Sequence, residues 1–189
     1  MRLTSLTRAL FLAPLLALLA ISAHAATVTF TTDLLPSNEV PATSSTGSGT
    51  GTFTFDTVAQ DIMFTLNYSG LTSSAVMGHI HAGAAGANGP VILPFNPGPT
   101  GTAGTLSGTL TVANLINQTT SGISTFTDIY NAALAGDLYT NIHTGNFPAG
   151  EIRGQLTQAS AVPEPMTGLL FASGLLAISV TLRLRRKTQ

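Results

Sequence analysis

The sequence contains no cysteine and no tryptophan, and outside its two ends it has almost no cations. Without cysteine the chain has no disulfide, no thiolate nucleophile, no cysteine-bound zinc and no iron–sulfur cluster. Arg153 is the single Lys or Arg between residues 26 and 162, where seven acids lie, so this part carries a net charge of −6. A surface so poor in cations cannot neutralise phosphates, which argues against nucleic acid as a partner.

The first 25 residues predict a secretory signal peptide. Arg2 and Arg8 precede a leucine-rich run of thirteen uncharged residues, 9–21, and the small residues at 23–25 match a signal peptidase site. A membrane anchor is the alternative, but thirteen helical residues reach about 20 Å, short of a hydrocarbon core of roughly 30 Å. We therefore expect export, with cleavage by signal peptidase after Ala25.

The last 27 residues predict a second address. A linker at 158–162 leads to a Pro-Glu-Pro motif at 163–165, an uncharged run over 166–182 and a basic end at 183–187. The run is just long enough for a transmembrane helix, and its terminal cations favour the cytoplasmic side. A buried core helix is the alternative, which the proline breaker and the charged end disfavour.

This three-part tail resembles the PEP-CTERM sorting signal of Gram-negative bacteria. The resemblance implies that an exosortase recognises Pro163, Glu164 and Pro165 and removes the tail, in organisms that make extracellular polysaccharide. The expected precursor is anchored in the membrane by its C-terminal helix, and the product lies at the cell surface or outside the cell.

Residues 26–157 predict one β domain. Thr, Ser and Gly account for 52 of the 137 residues from 26 to 162, and Thr alternates with apolar residues as in strands with one solvated face. A polar loop is expected at 36–51, and one helix at 126–135, where apolar residues recur at three-and-four spacing before Gly136. Strands are predicted at 27–31, 50–55, 62–68, 75–81, 91–95, 104–112, 138–143 and 151–156. This pattern predicts an all-β Greek-key sandwich or barrel of seven to eight strands with one short helix.

One motif occurs twice. Residues 80–83 (Ile-His-Ala-Gly) and 142–145 (Ile-His-Thr-Gly) each end a strand and lead through a glycine-rich loop into another strand. His81 and His143 are therefore equivalent positions, and His79 shares the strand face of His81 because side chains alternate. Four loop glycines are expected at turns, several of them with positive φ: Gly83, Gly89, Gly145 and Gly150.

Three ordered segments, 38–41 (Asn-Glu-Val-Pro), 78–83 (Gly-His-Ile-His-Ala-Gly) and 141–155, resemble the CHRD domain, the module named after chordin. The resemblance spans roughly 27–157. It implies an extracellular β module, found in bacteria in secreted or surface proteins, and supplies no reaction. The cysteine-rich modules with which chordin binds growth factors are absent, so that activity is not implied.

The histidines support two interpretations. His79 and His81, two residues apart on one strand, can bind one ion with His143 as third ligand, a set that suits zinc or copper. Alternatively, His81 and His143 donate hydrogen bonds to backbone carbonyls and hold the loops 82–90 and 144–150. Arg153 is expected to form a salt bridge or a loop clamp with Glu39 or an Asp, with an isolated surface charge as the alternative.

No catalytic constellation is visible in the sequence. The acids are scattered and lack neighbouring tryptophan, unlike a glycosidase site, and the glycine-rich stretch 47–51 lacks the lysine of a phosphate loop. We therefore expect a non-enzymatic structural or adhesive module of the cell envelope or extracellular matrix, without a cofactor. Its expected partners are extracellular polysaccharide or other matrix proteins. The alternative is a zinc- or copper-binding module that uses the three histidines.

Overall fold

The alternation of threonine with apolar residues produces antiparallel strands in the computed structural model, which describes residues 27–159. Two α-helices, α1 (Gln118–Ser121) and α2 (Phe126–Ala135), and two short 3₁₀ turns, Pro36–Asn38 and Val112–Asn114, connect them. The strands in this part of the chain are β1 (Thr27–Leu34), β2 (Ser48–Asp56), β3 (Asp61–Ser69), β4 (Ala75–Ala82), β5 (Val91–Pro94), β6 (Gly104–Thr111), β7 (Leu138–Thr144), β8 (Ile152–Gln155) and β9 (Thr157–Gln158).

The strands form a sheet of five, in the order β6-β3-β2-β1-β9, and a sheet of four, in the order β5-β4-β7-β8. The inner faces of both sheets share one apolar core, in which the rings of Phe64 and Phe95 stack with centroids 4.6 Å apart. This two-sheet packing is a β-sandwich, which confirms that part of the predicted fold. The predicted numbers of strands and helices were too low for 27–159, because β9 and α1 are too short to show a periodic pattern.

The outer faces of the two sheets differ. On the five-stranded sheet, Thr31, Thr52, Thr65 and Ser107 lie opposite one another in a row of exposed hydroxyl-bearing side chains. On the four-stranded sheet, the loops 36–44 and 82–90 cover the polar face, so the outward-facing residues of β7 are buried as well as those that face the core. The covered face carries the histidines.

Three predictions concern residues outside the described range. The signal peptide at 1–25, the sorting motif at 163–165 and the transmembrane run at 166–182 all lie there. Within 27–159, neither helix has the length and apolar character needed to cross a membrane.

Candidate metal centre

The pairing of β4 with β7 brings the three predicted histidines together. His79 lies opposite Asn141 in the register, which is one alternate position from His143, and His81 lies opposite Tyr139, which is two alternate positions from His143. The ring centroids are 5.0 Å apart for His79 and His143 and 5.5 Å apart for His79 and His81. One nitrogen of each ring lies within 4.8 Å of the others. Nitrogens bound tetrahedrally to one zinc ion are about 3.4 Å apart, so the rings would have to move closer together to bind an ion.

Backbone carbonyls fix the orientation of two of the rings. Nδ1 of His81 lies 2.9 Å from the carbonyl oxygen of Gly89, and Nδ1 of His143 lies 3.0 Å from that of Pro148. A carbonyl oxygen only accepts hydrogen bonds, so both Nδ1 atoms carry the proton and both Nε2 atoms carry a lone pair. Metal-binding histidines characteristically donate a hydrogen bond from the ring nitrogen that does not bind the metal. Both carbonyls lie in the loops for which the sequence predicted such contacts.

Asn141 lies at the centre of the cluster. Its Oδ1 is 3.0 Å from Nε2 of His143, and its side chain also interacts with His81 and Glu39. Nε2 of neutral His143 and Oδ1 of Asn141 are both acceptors. The contact becomes a hydrogen bond when the Asn141 amide is turned over, so that its NH₂ group donates to Nε2. Two other ring nitrogens, Nδ1 of His79 and Nε2 of His81, are buried without a hydrogen-bond partner.

All three imidazoles are held in the state that binds metals. Burial, together with the charges of His143 and His81, lowers the pKa of His79 to about 4. Burial also lowers the pKa values of His81 and His143 below the ordinary value. The rings are therefore neutral at pH 7, and an ion would not have to displace protons from them.

The two residues predicted to form a clamp lie at the edge of this cluster. Arg153, which is 1% exposed, donates hydrogen bonds to the carbonyl of Ala87 at 2.7 Å and to Oδ1 of Asn88 at 3.1 Å, and its guanidinium carbon lies 3.4 Å from the centroid of the Tyr139 ring. These contacts hold the loop 82–90 over the sheet. Glu39 is 7% exposed, and its Oε1 has no hydrogen-bond partner. Burial raises its pKa to about 7, although the charge of Arg153 and a hydrogen bond with Asn141 lower it.

The model of the CHRD domain matches residues 30–156, which include both sheets as far as β8 and all residues of the cluster. The chain belongs to the CHRD family. CHRD domains are modules of the extracellular type, and this agrees with the export predicted from the sequence. Neither a curated protein nor a solved structure matches the chain.

One buried acid of this CHRD domain was not identified from the sequence as part of the site. Glu151 is fully buried and accepts hydrogen bonds from the hydroxyls of Ser45 at 2.6 Å and Thr144 at 2.5 Å, and from the backbone N–H and hydroxyl of Thr72. It therefore joins two loops to the end of β7, next to His143. The only signal in the sequence was an acid between Gly150 and Ile152 at the entry to a strand that the pattern predicts to be half buried.

The prediction that several of the four repeat glycines have positive φ was wrong. Gly150 has a φ of 130°, whereas Gly83, Gly89 and Gly145 are not among the positive-φ residues. Position 89 requires glycine because it has no side chain: a Cβ there would overlap the carbonyl of Ala82. This close approach places the Gly89 carbonyl against His81 in the CHRD domain.

Proposed function

We propose that this CHRD domain is an extracellular metal-binding module that holds one zinc or copper ion through His79, His81 and His143. The observation that carries the proposal is that three neutral imidazoles meet with one nitrogen each within 4.8 Å of the others. Two of the rings are already oriented by Nδ1 hydrogen bonds to Gly89 and Pro148.

The structural interpretation of His81 and His143 is compatible with metal binding. Holding the loops uses Nδ1 of each ring, whereas a metal would use Nε2, which in His143 would have to give up its contact with the Asn141 amide. Loop anchoring alone does not account for the buried, unpartnered nitrogens of His79 and His81. An unsatisfied buried polar group costs about 1–3 kcal/mol, and a bound ion would remove that cost.

The test is a titration of the purified, metal-free full-length chain with Zn²⁺ and with Cu²⁺ near pH 7, followed by calorimetry and thermal unfolding. An ion that binds only the native state, at a free concentration of about 100 times its Kd, should stabilise that state by about 2.7 kcal/mol. The double variant His81→Ala, His143→Ala should lose both the heat and the stabilisation.

The control for adventitious binding is Asp61→Asn. Asp61 lies opposite Asp56 on the other sheet, where two carboxylates can attract a cation without a built site. This variant should bind as the unchanged chain does. No binding of Zn²⁺, Cu²⁺ or copper(I), or full binding by the double histidine variant, would contradict the proposal.

The module is proposed to act in the cell envelope or extracellular matrix as a non-enzymatic structural or adhesive part, sorted by an exosortase. The proposal is supported by the two predicted address segments and by the row of exposed hydroxyls on the five-stranded sheet, which suits polysaccharide or other polar matrix components. Changing Pro163, Glu164 and Pro165 to alanine should leave a full-length, membrane-bound precursor. Mass spectrometry of the native and changed proteins locates both cleavage points, and normal processing of the changed tail would contradict the sorting role.

A further inference from the structure

A thioether lies beside the three histidines. Met77 is directly opposite His143 in the pairing of β4 with β7 and is two residues before His79 on the same strand. The register shifts between Ala75 and Met77, so that Ala75 and Gly78 are buried while Met77 is 45% exposed on the outer face. Opposite residues in an antiparallel pair have Cβ atoms about 4.5–5.5 Å apart, which places the flexible Met77 side chain within reach of the cluster.

The two ends of the cluster differ in their access to solvent. His81 and His143 are each 7% exposed beneath the loops 82–90 and 144–150, whereas His79 is half-buried and Met77 is exposed. An ion can therefore enter from the Met77 end. A ligand at that end would complete the coordination of an ion held by the three imidazoles.

The donors at this site are all uncharged. The group of residues able to share an ion contains three neutral histidines and no carboxylate, and the chain has no cysteine. Buried neutral ligands hold a monovalent cation at a lower desolvation cost than a divalent one, because less charge is transferred from water. A thioether is a soft ligand that selects copper(I), whereas zinc prefers nitrogen, thiolate and carboxylate ligands.

We infer that the site is selective for copper(I), with the thioether of Met77 as fourth ligand beside His79, His81 and His143. The inference rests on the proposed metal-binding function and adds the identity and oxidation state of the ion. It also assigns a role to an exposed apolar side chain that the core does not require.

Met63 provides a matched control. It is the other methionine of the described residues, is 51% exposed, and lies on the outer face of the five-stranded sheet opposite Thr54 and Thr109. Met77→Leu and Met63→Leu each remove one exposed thioether and keep the side-chain volume. Both variants should have the melting temperature of the unchanged chain when no metal is present.

The experiment is an anaerobic competition for copper(I) between a chromophoric chelator and the purified full-length chain, with Zn²⁺ affinity measured in parallel. Met77→Leu should weaken copper(I) binding by at least about ten-fold, the lower range seen when a metal's supporting groups are removed, and should leave Zn²⁺ binding nearly unchanged. Met63→Leu should change neither. X-ray absorption at the copper edge should show a sulfur neighbour in the unchanged chain and none in Met77→Leu.

The two proposals fail in different ways. Equal copper(I) affinity in Met77→Leu and the unchanged chain, or a copper spectrum without sulfur, would overturn the role of Met77 and leave a three-histidine site. Binding of Zn²⁺ more tightly than copper(I) by the unchanged chain would overturn the selectivity. Absence of binding of any of these ions would overturn the proposed function itself.

Discussion

Truncating Glu151 to alanine should remove the carboxylate that joins the loops around Ser45 and Thr72 to the end of β7. The carboxylate accepts four hydrogen bonds, at distances from 2.5 to 3.1 Å. Ser45 and Thr72 lie near the surface and can turn to water, but Thr144 is fully buried. Its hydroxyl would keep a proton without an acceptor.

The expected loss follows from these contacts. A hydrogen bond to a charged group contributes about 1.5–3 kcal/mol, and a buried unsatisfied group costs about 1–3 kcal/mol. The four bonds share one side chain and are not additive, so we expect Glu151→Ala to lose about 3–5 kcal/mol of unfolding free energy. Domains of this kind are stable by about 5–15 kcal/mol, so the loss is large. Glu151→Gln keeps one acceptor oxygen and should lose less.

The effect should depend on pH in a defined direction. Burial raises the pKa of Glu151, but hydrogen bonds from Ser45, Thr144 and Thr72 outweigh it, so the net pKa is lowered. The stabilisation is therefore present above the unfolded pKa of about 4.3 and is lost as the pH falls through the folded pKa. The difference between the unchanged chain and Glu151→Gln should shrink in acid.

Urea denaturation of the full-length chain at pH 7 and at pH 3.5 measures both effects. Asp137→Ala is the matched control, because this exposed acid directly precedes β7, and its removal should change stability by no more than about 0.5 kcal/mol. A loss smaller than about 1 kcal/mol for Glu151→Ala at pH 7 would refute the assignment of a stabilising network to this carboxylate.

Three further substitutions test the cover over the histidine face. Burial raises the pKa of Glu39 to about 7, so its contribution to stability is fully present below the unfolded pKa of about 4.3 and declines as the pH rises through 7. Glu39→Gln should flatten this decline in denaturation curves measured from pH 5 to 8. An unchanged dependence of stability on pH would contradict this prediction. Arg153→Lys keeps the charge but not the planar fork that contacts Ala87 and Asn88, and should cost about 1–3 kcal/mol, whereas equal stability would mean that charge alone suffices. Gly89→Ala should lower the melting temperature strongly, because the added Cβ overlaps the Ala82 carbonyl. Gly145→Ala should have little effect, because a Cβ there would approach only Ser73, at 3.6 Å. Similar losses at both sites would refute the steric argument.

Local patterns predicted the elements whose signals are local. The helix α2 has the predicted bounds because Thr125 and Asp128 form a capping box at its start and Gly136, with a φ of 75°, ends it. The hairpin of β2 and β3 follows from alternation on both sides of a turn at 57–60. Each of these signals lies within a few residues of the element that it specifies.

The site depended on contacts that no local pattern specifies. Alternation placed His79 and His81 on one face, and the repeat made His81 and His143 equivalent, but the pairing of β4 with β7 joins residues about sixty positions apart. The burial of Glu151 depends on loops from two distant segments. The guanidinium of Arg153 donates to the carbonyls of Ala84 and Ala87 in the loop 82–90, which lie 69 and 66 positions away in the sequence.

The covered face of β7 leaves polar atoms unpaired, and this supports the proposed metal site. Its alternating sequence predicts one solvated face, yet the loops bury that face, and a buried polar atom is costly unless it is paired. Most polar groups there are paired: the hydroxyl of Tyr139 accepts a hydrogen bond from the Gly89 N–H, and Nδ1 of His143 donates to the Pro148 carbonyl. Within 27–159, four buried side-chain atoms have no partner, and three of them belong to His79, His81 and Glu39. The His79 and His81 rings lie 5.5 Å apart. An ion bound between the imidazoles, as proposed, would pair these nitrogens and remove the cost of burying them unpaired.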